Sequence, residues 1–256
     1  MYDPMETWAS KKILLELLGE LGPTPKFGPV GGWAVHFTIN ENFVRATGRD
    51  FLGSRDIDVF LDCRGNFPLQ FARAIRKIGF IPGEYRFRYT LILERDSMRK
   101  LSEDEAGRKH SFELIYVFLD VLGNGESDAV GVWPNEIVAK MIKRKATRPM
   151  TIEGLKVFVP EEDFLLLLKL DSFLKRETKE KRMKDACDIY GLLFYSSAKI
   201  LELLKKEAWK VELASRGIEG LLEEETSEFI AETLFGSGLK SGLVRRNIRQ
   251  ILDALS

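Results

Sequence analysis

The sequence predicts an α/β (α+β) protein in which a mixed β-sheet flanked by helices is followed by a C-terminal helical domain. Up to about residue 150, short apolar runs typical of strands alternate with segments whose apolar residues recur at helical spacing. After Pro160 the pattern is helical throughout. We therefore expect two closely packed domains, at residues 1–150 and 151–256, with the functional cleft between them.

The first domain is predicted to alternate helices with strands. Gly22 and Gly79 each end a helix, because glycine readily adopts the left-handed conformation found there. Residues 112–119 are almost continuously apolar, which predicts a central strand buried on both faces. The charged residues 94–109 are interpreted as a solvated loop between antiparallel strands. The predicted elements are helices at 6–20, 33–37, 67–78 and 134–145, strands at 56–62, 84–93 and 112–119, and a hairpin at 150–159.

The second domain is predicted to contain helices alone. Its two leading segments carry apolar residues at helical spacing, and three further amphipathic segments complete the chain. The predicted helices are 161–176, 179–195, 197–209, 219–235 and 241–255.

Composition excludes several classes of protein. The 256 residues have a formal net charge of zero, so no global basic field indicates a nucleic-acid-binding protein. Two cysteines and two histidines provide neither a zinc site nor a disulfide framework. No apolar run approaches the length of a membrane span, and we expect a soluble, cytoplasmic protein without a membrane partner.

Asp56 and Asp58 begin the predicted strand at 56–62. They are two residues apart, so in a strand both side chains project from one face. Neighbouring carboxylates repel each other and resist desolvation, and a divalent cation such as Mg²⁺ removes both penalties. The alternative interpretation is a solvated strand end at which aspartate is tolerated.

A glycine pair precedes this strand in the chain. The Gly- and Pro-rich residues 27–30 lead to Gly31-Gly32, and a buried helix follows at 33–37. Adjacent glycines before a helix allow close backbone approach and leave N–H groups available to a phosphate. An ordinary turn from loop to helix is the alternative.

Asp120 ends the apolar run at 112–119. An acid inside such a run is not required by a structural sheet, so we interpret Asp120 as a metal-binding or catalytic residue. The alternatives are an ion pair with an arginine or a cap on the following turn.

A second group of charged residues is predicted on two helices. Lys169 and Arg176 share a face of one helix, and Asp185 and Asp188 share a face of the next. If the helices form an antiparallel hairpin, the acids can hold Lys169 charged and directed toward a phosphate. An ordinary set of interhelical salt bridges is the alternative interpretation.

Taken in order, these motifs resemble the nucleotidyltransferase superfamily related to DNA polymerase β, and most closely its AbiEii-like (abortive-infection) toxins and uncharacterised members. The resemblance covers roughly residues 27–195 and depends on motif order rather than on any single motif. Trp33 departs from the pattern, because many members have Ser or Thr after the glycines.

The resemblance implies a role for each matched residue. Asp56 and Asp58 match the paired acids and Asp120 the third acid, which together bind two Mg²⁺ ions and catalyse transfer. The nucleoside triphosphate (NTP) is the substrate. The residues that the resemblance implies in nucleotide binding are Gly31, Gly32, Lys169, Asp185 and Asp188. We expect Arg55 or Arg176 to assist them.

The implied reaction transfers a nucleoside monophosphate from an NTP to an acceptor hydroxyl on RNA, tRNA or protein. Basic clusters at residues 140–148 and 175–184 favour a polyanionic acceptor, although solvated helix ends explain them equally well. One alternative is a catalytically silent nucleotide- or RNA-binding protein of a toxin–antitoxin pair, with an antitoxin as partner. The other is a nucleotidyltransferase acting on small, aminoglycoside-like acceptors.

Overall fold

The computed structural model describes residues 3–197 and 199–256, and a seven-stranded mixed sheet organises the first part of the chain. Its strands run in the order β1 (Phe27–Val30), β2 (Ile57–Leu61), β6 (Leu114–Gly123), β4 (Arg88–Glu94) and β3 (Ile81–Pro82), while β5 (Lys100–Leu101) pairs with β4 and β7 (Trp133–Pro134) with β6. Two strand pairs in the described sheet, β2–β6 and β6–β7, are parallel, and the other pairs are antiparallel. A mixed sheet flanked by helices is therefore confirmed.

The helices near the sheet begin and end where local chemistry dictates. The Asp3 side chain caps the first helix by accepting the Met5 N–H at 2.8 Å. The predicted stops at Gly22 and Gly79 are confirmed, since both glycines follow a helix with positive φ. These helices are α1 (Pro4–Leu21), α2 (Gly31–Thr47), α3 (Phe67–Ile78), α4 (Glu103–Ala106) and α5 (Glu136–Arg144).

Strand β1 was not anticipated by the sequence pattern. Its Gly28 and Pro29 are both unfavourable in a strand, so residues 27–30 were interpreted as an approach to the helix. Pro29 is tolerated because β1 lies at the edge of the sheet, with β2 as its sheet partner.

The prediction that the central strand is buried on both faces is wrong. In β6 one face carries Ile115, Val117 and Leu119, which are buried, while Tyr116 on the other face is exposed. The apolar run misleads because tyrosine and phenylalanine can line a surface as well as a core.

A hairpin follows the sheet, with β8 (Thr147–Ile152) paired to β9 (Leu155–Pro160). The predicted turn is confirmed: Glu153 and Gly154 have φ values of 45° and 83°, as a two-residue hairpin turn requires. The hairpin packs on β1, where a Cβ atom added to Gly28 would lie 1.8 Å from the backbone oxygen of Phe158.

The C-terminal part of the chain is helical, as predicted. The predicted segment 197–209 is divided between two helices, and its residue 198 lies outside the described residues. Among the described residues, no helix is both long and apolar enough to span a membrane. The helices are α6 (Glu162–Lys175), α7 (Lys179–Tyr195), α8 (Ile200–Leu204), α9 (Ala208–Glu219), α10 (Glu224–Phe235) and α11 (Ser241–Leu255).

The chain divides into two compact units at positions other than those predicted. The first unit comprises Met1–Ala34 and Gly53–Pro160, and the second comprises Val35–Leu52 and Glu161–Ser256. The hairpin belongs to the first unit because it packs on β1. Most of α2 belongs to the second unit because Phe43 contacts Tyr195 edge to face, with ring centroids 5.0 Å apart.

We predict that Gly28→Ala lowers the free energy of unfolding by about 1–3 kcal/mol, the usual cost of overpacking, because the added methyl group collides with the backbone of β9. Urea denaturation measures the change. Gly19→Ala in α1 is the control: nothing lies within 4 Å of its added Cβ, and we expect stabilisation by up to about 1 kcal/mol. Equal stability of the Gly28 variant and the wild type would contradict the packing described.

Candidate active site

The pairing of two strands brings Asp58 and Asp120 together. Strand β2 runs parallel to β6 with Asp58 opposite Asp120. Side chains at paired positions of neighbouring strands project from the same face of the sheet. Two acids that are distant in the sequence therefore lie side by side.

Asp56 lies immediately before β2, two residues ahead of Asp58. Its Oδ1 atom is buried and lies 3.8 Å from Nε of Arg55, at ion-pair distance. Arg55, predicted to assist nucleotide binding, thus stands beside the first acid of the pair.

Arg88 joins the acids into one cluster. It lies opposite Asp120 on β4, and its guanidinium donates two hydrogen bonds to that carboxylate, Nε to Oδ1 at 2.7 Å and Nη2 to Oδ2 at 2.6 Å. The hydrogen bonds to Asp120 raise the pKa of Arg88 above its ordinary value; burial opposes this, and the charges of Asp120, Asp56 and Asp58 add to it. One guanidinium is therefore electrostatically coupled to all three predicted acids.

Sequence reasoning did not identify Arg88. The alternation in residues 84–93 separates Arg88 from the apolar residues of that segment, and this was the available signal. Alternation assigns a residue to a face but does not show which residue of the next strand it will meet.

The predicted glycine turn lies against the acid cluster. Helix α2 begins at Gly31, directly after β1, whose Val30 pairs with Asp58. Gly31 has a φ of 61°, and a Cβ atom added to it would lie 2.0 Å from Oδ2 of Asp58. Only glycine suits this position, and the first N–H groups of the helix, at Gly31 and Gly32, begin beside the carboxylate.

Trp33, the departure from the superfamily pattern, has a packing role. It is buried, and its Nε1 donates a hydrogen bond to Oγ of Ser10 at 3.1 Å. Ser10 in turn donates to the backbone oxygen of Ser54, just before the acids. This chain of contacts ties the start of α2 to the segment that carries Asp56.

The donor atoms of the cluster suit a hard divalent cation, because all three side chains offer carboxylate oxygens. As arranged, the described residues contain no group of three or more His, Cys, Asp or Glu that could hold a metal ion. Both oxygens of Asp120 accept hydrogen bonds from Arg88. Each oxygen keeps a second lone pair, so a cation coordinated by Asp120 would bind beside the guanidinium of Arg88 and against its positive charge.

The second predicted group lies in the second unit and forms a network of ion pairs. Helices α6 and α7 pack together, and Nζ of Lys169 lies 2.8 Å from Asp185 and 2.7 Å from Asp188. Arg176 also contacts Asp185, at 3.0 Å, and Lys184 contacts Asp188, at 3.1 Å. The hairpin and the hold of both acids on Lys169 agree with the sequence interpretation, whereas contact with a phosphate stays a prediction.

Burial shapes the acid–base properties of this network. Desolvation lowers the pKa of Lys169, but attraction to Asp185 and Asp188 outweighs it and leaves the pKa above its ordinary value. Desolvation likewise raises the pKa of Asp185, and Lys169 and Arg176 outweigh it, so this pKa is lowered. The groups therefore hold one another in their charged forms.

The comparisons with known proteins are sparse. No protein-family model matches the sequence, and no curated protein matches it. The structure is similar to the crystal structure of an antigenic nucleotidyltransferase-like protein from Paracoccidioides brasiliensis, with a TM-score of 0.49 and 13% sequence identity over 91% of this chain and 97% of that chain.

We predict that Lys169→Met lowers the free energy of unfolding by about 3–5 kcal/mol, because it leaves two buried carboxylates without their shared cation. Lys175→Met on the same helix is the control. The Lys169 side chain is 8% exposed, whereas that of Lys175 is 72% exposed and pairs with Asp171. Replacing Lys175 should change stability by less than about 1 kcal/mol.

The pH dependence of the Lys169→Met difference checks its electrostatic origin. Because the pKa of Asp185 is lowered in the folded protein, its ion pairs stabilise the fold above the unfolded-state pKa of about 3.9. That contribution is lost as the pH falls through the lowered pKa. The stability difference between wild type and variant should therefore shrink below about pH 4, and a difference that stays constant there would contradict the account.

Proposed function

We propose that this protein is a nucleotidyltransferase that moves a nucleoside monophosphate from an NTP to an acceptor hydroxyl and releases pyrophosphate. The observation that supports it is the register of β2 and β6, which sets Asp58 beside Asp120. Asp56 and the Gly31 turn complete an arrangement suited to binding a triphosphate with its cations.

The three acids have the central role in this proposal. Asp56 and Asp58 would hold two Mg²⁺ ions, and Asp120 would hold one of them. When bound, Mg²⁺ supplies positive charge that stabilises the attacking and leaving oxygens. The protein's own contribution is to fix the carboxylates and the backbone N–H groups before substrate arrives, so that they need little reorganisation.

In this proposal the nucleotide is bound by the first N–H groups of α2 and by charged side chains of both units. Gly31 and Gly32 supply N–H donors. Arg55, Lys169 and Arg176 supply positive charge, and Asp185 and Asp188 orient Lys169.

The reaction forms one bond and breaks another. The acceptor oxygen attacks the α-phosphorus, and the bond to the oxygen that bridges to the β-phosphate breaks, so pyrophosphate leaves with the electron pair. The proton of the acceptor hydroxyl passes to an oxygen of Asp120. Each oxygen of Asp120 accepts one hydrogen bond from Arg88 and keeps a second lone pair for the proton, while the positive charge of Arg88 makes the carboxylate a weaker base.

A second candidate is a nucleotide- or RNA-binding protein without turnover, as in a toxin–antitoxin pair. The observation that favours it is the two-point hydrogen bonding between Arg88 and Asp120, which occupies the acid proposed to accept the proton. The motif order remains the basis for relating the chain to AbiEii-like proteins.

We predict that Asp58→Asn reduces nucleotidyl transfer by at least a hundredfold, since it removes a negative charge that the proposed cations require. The assay follows α-labelled NTP into bulk tRNA, protein or an aminoglycoside in the presence of Mg²⁺. Asp96→Asn is the control, because Asp96 is an exposed aspartate in a loop of the same unit. It should retain wild-type activity.

Two outcomes would contradict the proposal. Equal transfer by the Asp58 variant and the wild type would show that Asp58 has no role in the reaction. NTP binding in a calorimeter without any Mg²⁺-dependent product from the wild type would favour the silent binding protein instead.

A further inference from the structure

An aromatic strip lies on the first unit, beside the acid cluster. Three of its rings, Tyr85, Tyr116 and Trp133, are large apolar groups left exposed to solvent. Large exposed aromatic groups in a row commonly mark a binding surface. We define the aromatic strip by its members, which are Trp133, Phe87, Tyr85, Arg88, Phe118 and Tyr116.

Each member of the strip contacts the next. The ring centroids of Trp133 and Phe87 are 5.0 Å apart. The rings of Phe87 and Tyr85 are stacked, with centroids 5.6 Å apart and an angle of 10° between their planes. The Arg88 guanidinium carbon lies 5.7 Å from the centre of the Tyr85 ring. The strip thus begins with three rings and leads to a cation.

Arg88 joins these rings to a second pair. Its guanidinium carbon is 5.3 Å from the centre of the Phe118 ring, and Phe118 stacks with Tyr116 at 6.5 Å and 13°. Tyr116, Phe118 and Asp120 alternate along β6, so all three project from one face of the sheet. The aromatic strip therefore runs along the same face as the third acid.

Arg88 connects the strip to the candidate active site. The guanidinium that lies between Tyr85 and Phe118 also holds both oxygens of Asp120. A ligand on the aromatic strip is therefore one side chain away from the proposed site of transfer.

We infer that the aromatic strip binds single-stranded nucleic acid, with bases stacked on its rings and the reactive end directed toward Asp120. This inference rests on the proposed function and names its acceptor class. Aromatic rings and arginine planes form the stacking surfaces on which proteins hold single strands, because every base has a flat π face.

The number of rings in the strip favours a strand over a single nucleotide. Five aromatic rings and one guanidinium, with consecutive groups 5.0–6.5 Å apart, are more stacking groups than one nucleobase can use. Arg86, between Tyr85 and Phe87 in the sequence, is exposed and adds a positive charge to this segment of the chain. Asp120 offsets the charge of Arg88, so stacking rather than charge provides most of the expected affinity.

The test measures binding of a fluorescein-labelled uridine dodecamer by anisotropy, without NTP or Mg²⁺. Trp133→Ala should weaken binding about fivefold to 150-fold, the range for loss of one base–aromatic stack. Trp8→Ala is the matched control, because Trp8 is a tryptophan of the same unit that is 51% exposed, against 54% for Trp133. The control should bind as the wild type does.

An abasic dodecamer of the same length serves as the second probe. The inference predicts weak binding of the abasic strand, since it has charge but no bases to stack. The inference is overturned if both strands bind equally well, or if the two tryptophan variants bind RNA equally well. It is also overturned if the wild type binds no RNA and instead forms a dimer that Trp133→Ala disrupts. The last result would assign the strip to a protein interface.

These outcomes are separable from those of the proposed function. Nucleotidyl transfer without strip-dependent RNA binding would overturn this inference and leave the enzyme proposal intact. Strip-dependent RNA binding without transfer would retain the inference and favour the silent binding protein.

Discussion

The interaction on which this structure depends is the contact of Arg88 with Asp120, beside Asp58. Two carboxylates on neighbouring strands repel each other, and partial burial strengthens that repulsion. Arg88, on the third strand, offsets this repulsion, because the strand order β2–β6–β4 places Asp58, Asp120 and the Arg88 guanidinium next to one another. The Gly31 turn and the Trp33–Ser10–Ser54 contacts then hold the surrounding backbone in place.

The ion pair of Arg88 with Asp120 and the ion pairs of Lys169 differ in how much of their side chains solvent can reach. In the first unit the side chains of Arg88 and Asp120 are 24% and 14% exposed, so a ligand can reach and exchange with them. In the second unit the side chains of Lys169 and Asp188 are only 8% and 0% exposed. A partly exposed ion pair can open for chemistry, whereas breaking a buried one carries a large energetic cost.

Sequence patterns predicted much of the architecture and the outline of the candidate site. Gly79 and the Glu153-Gly154 turn were located because their backbone conformations have few alternatives among the amino acids. Asp56, Asp58 and Asp120 stood out because acids interrupt or precede apolar runs. Strand β1 was missed because Gly28 and Pro29 disfavour strands, and a local pattern contains no information on the edge position that tolerates them.

Long-range pairing accounts for the rest of what the sequence did not reveal. Arg88 belongs to the candidate site because it pairs with Asp120, and no residue near Arg88 in the sequence indicates that partner. The grouping of residues 35–52 with the C-terminal helices depends likewise on contacts such as Phe43 with Tyr195. Tyr116 and Phe118 read as core residues because hydrophobicity alone does not distinguish a buried aromatic from one that lines a surface.

Arg88 neutralises Asp120, so its positive charge should oppose a divalent cation at the three acids. Titration of Mn²⁺, followed by electron paramagnetic resonance, tests it on the wild type, Arg88→Gln, and Arg86→Gln as a control from an exposed arginine two residues earlier. The account predicts that Arg88→Gln binds Mn²⁺ at least tenfold more tightly than the wild type and Arg86→Gln, and that adding Asp58→Asn abolishes the gain. No tighter binding by Arg88→Gln, or a gain that survives the loss of Asp58, would contradict it.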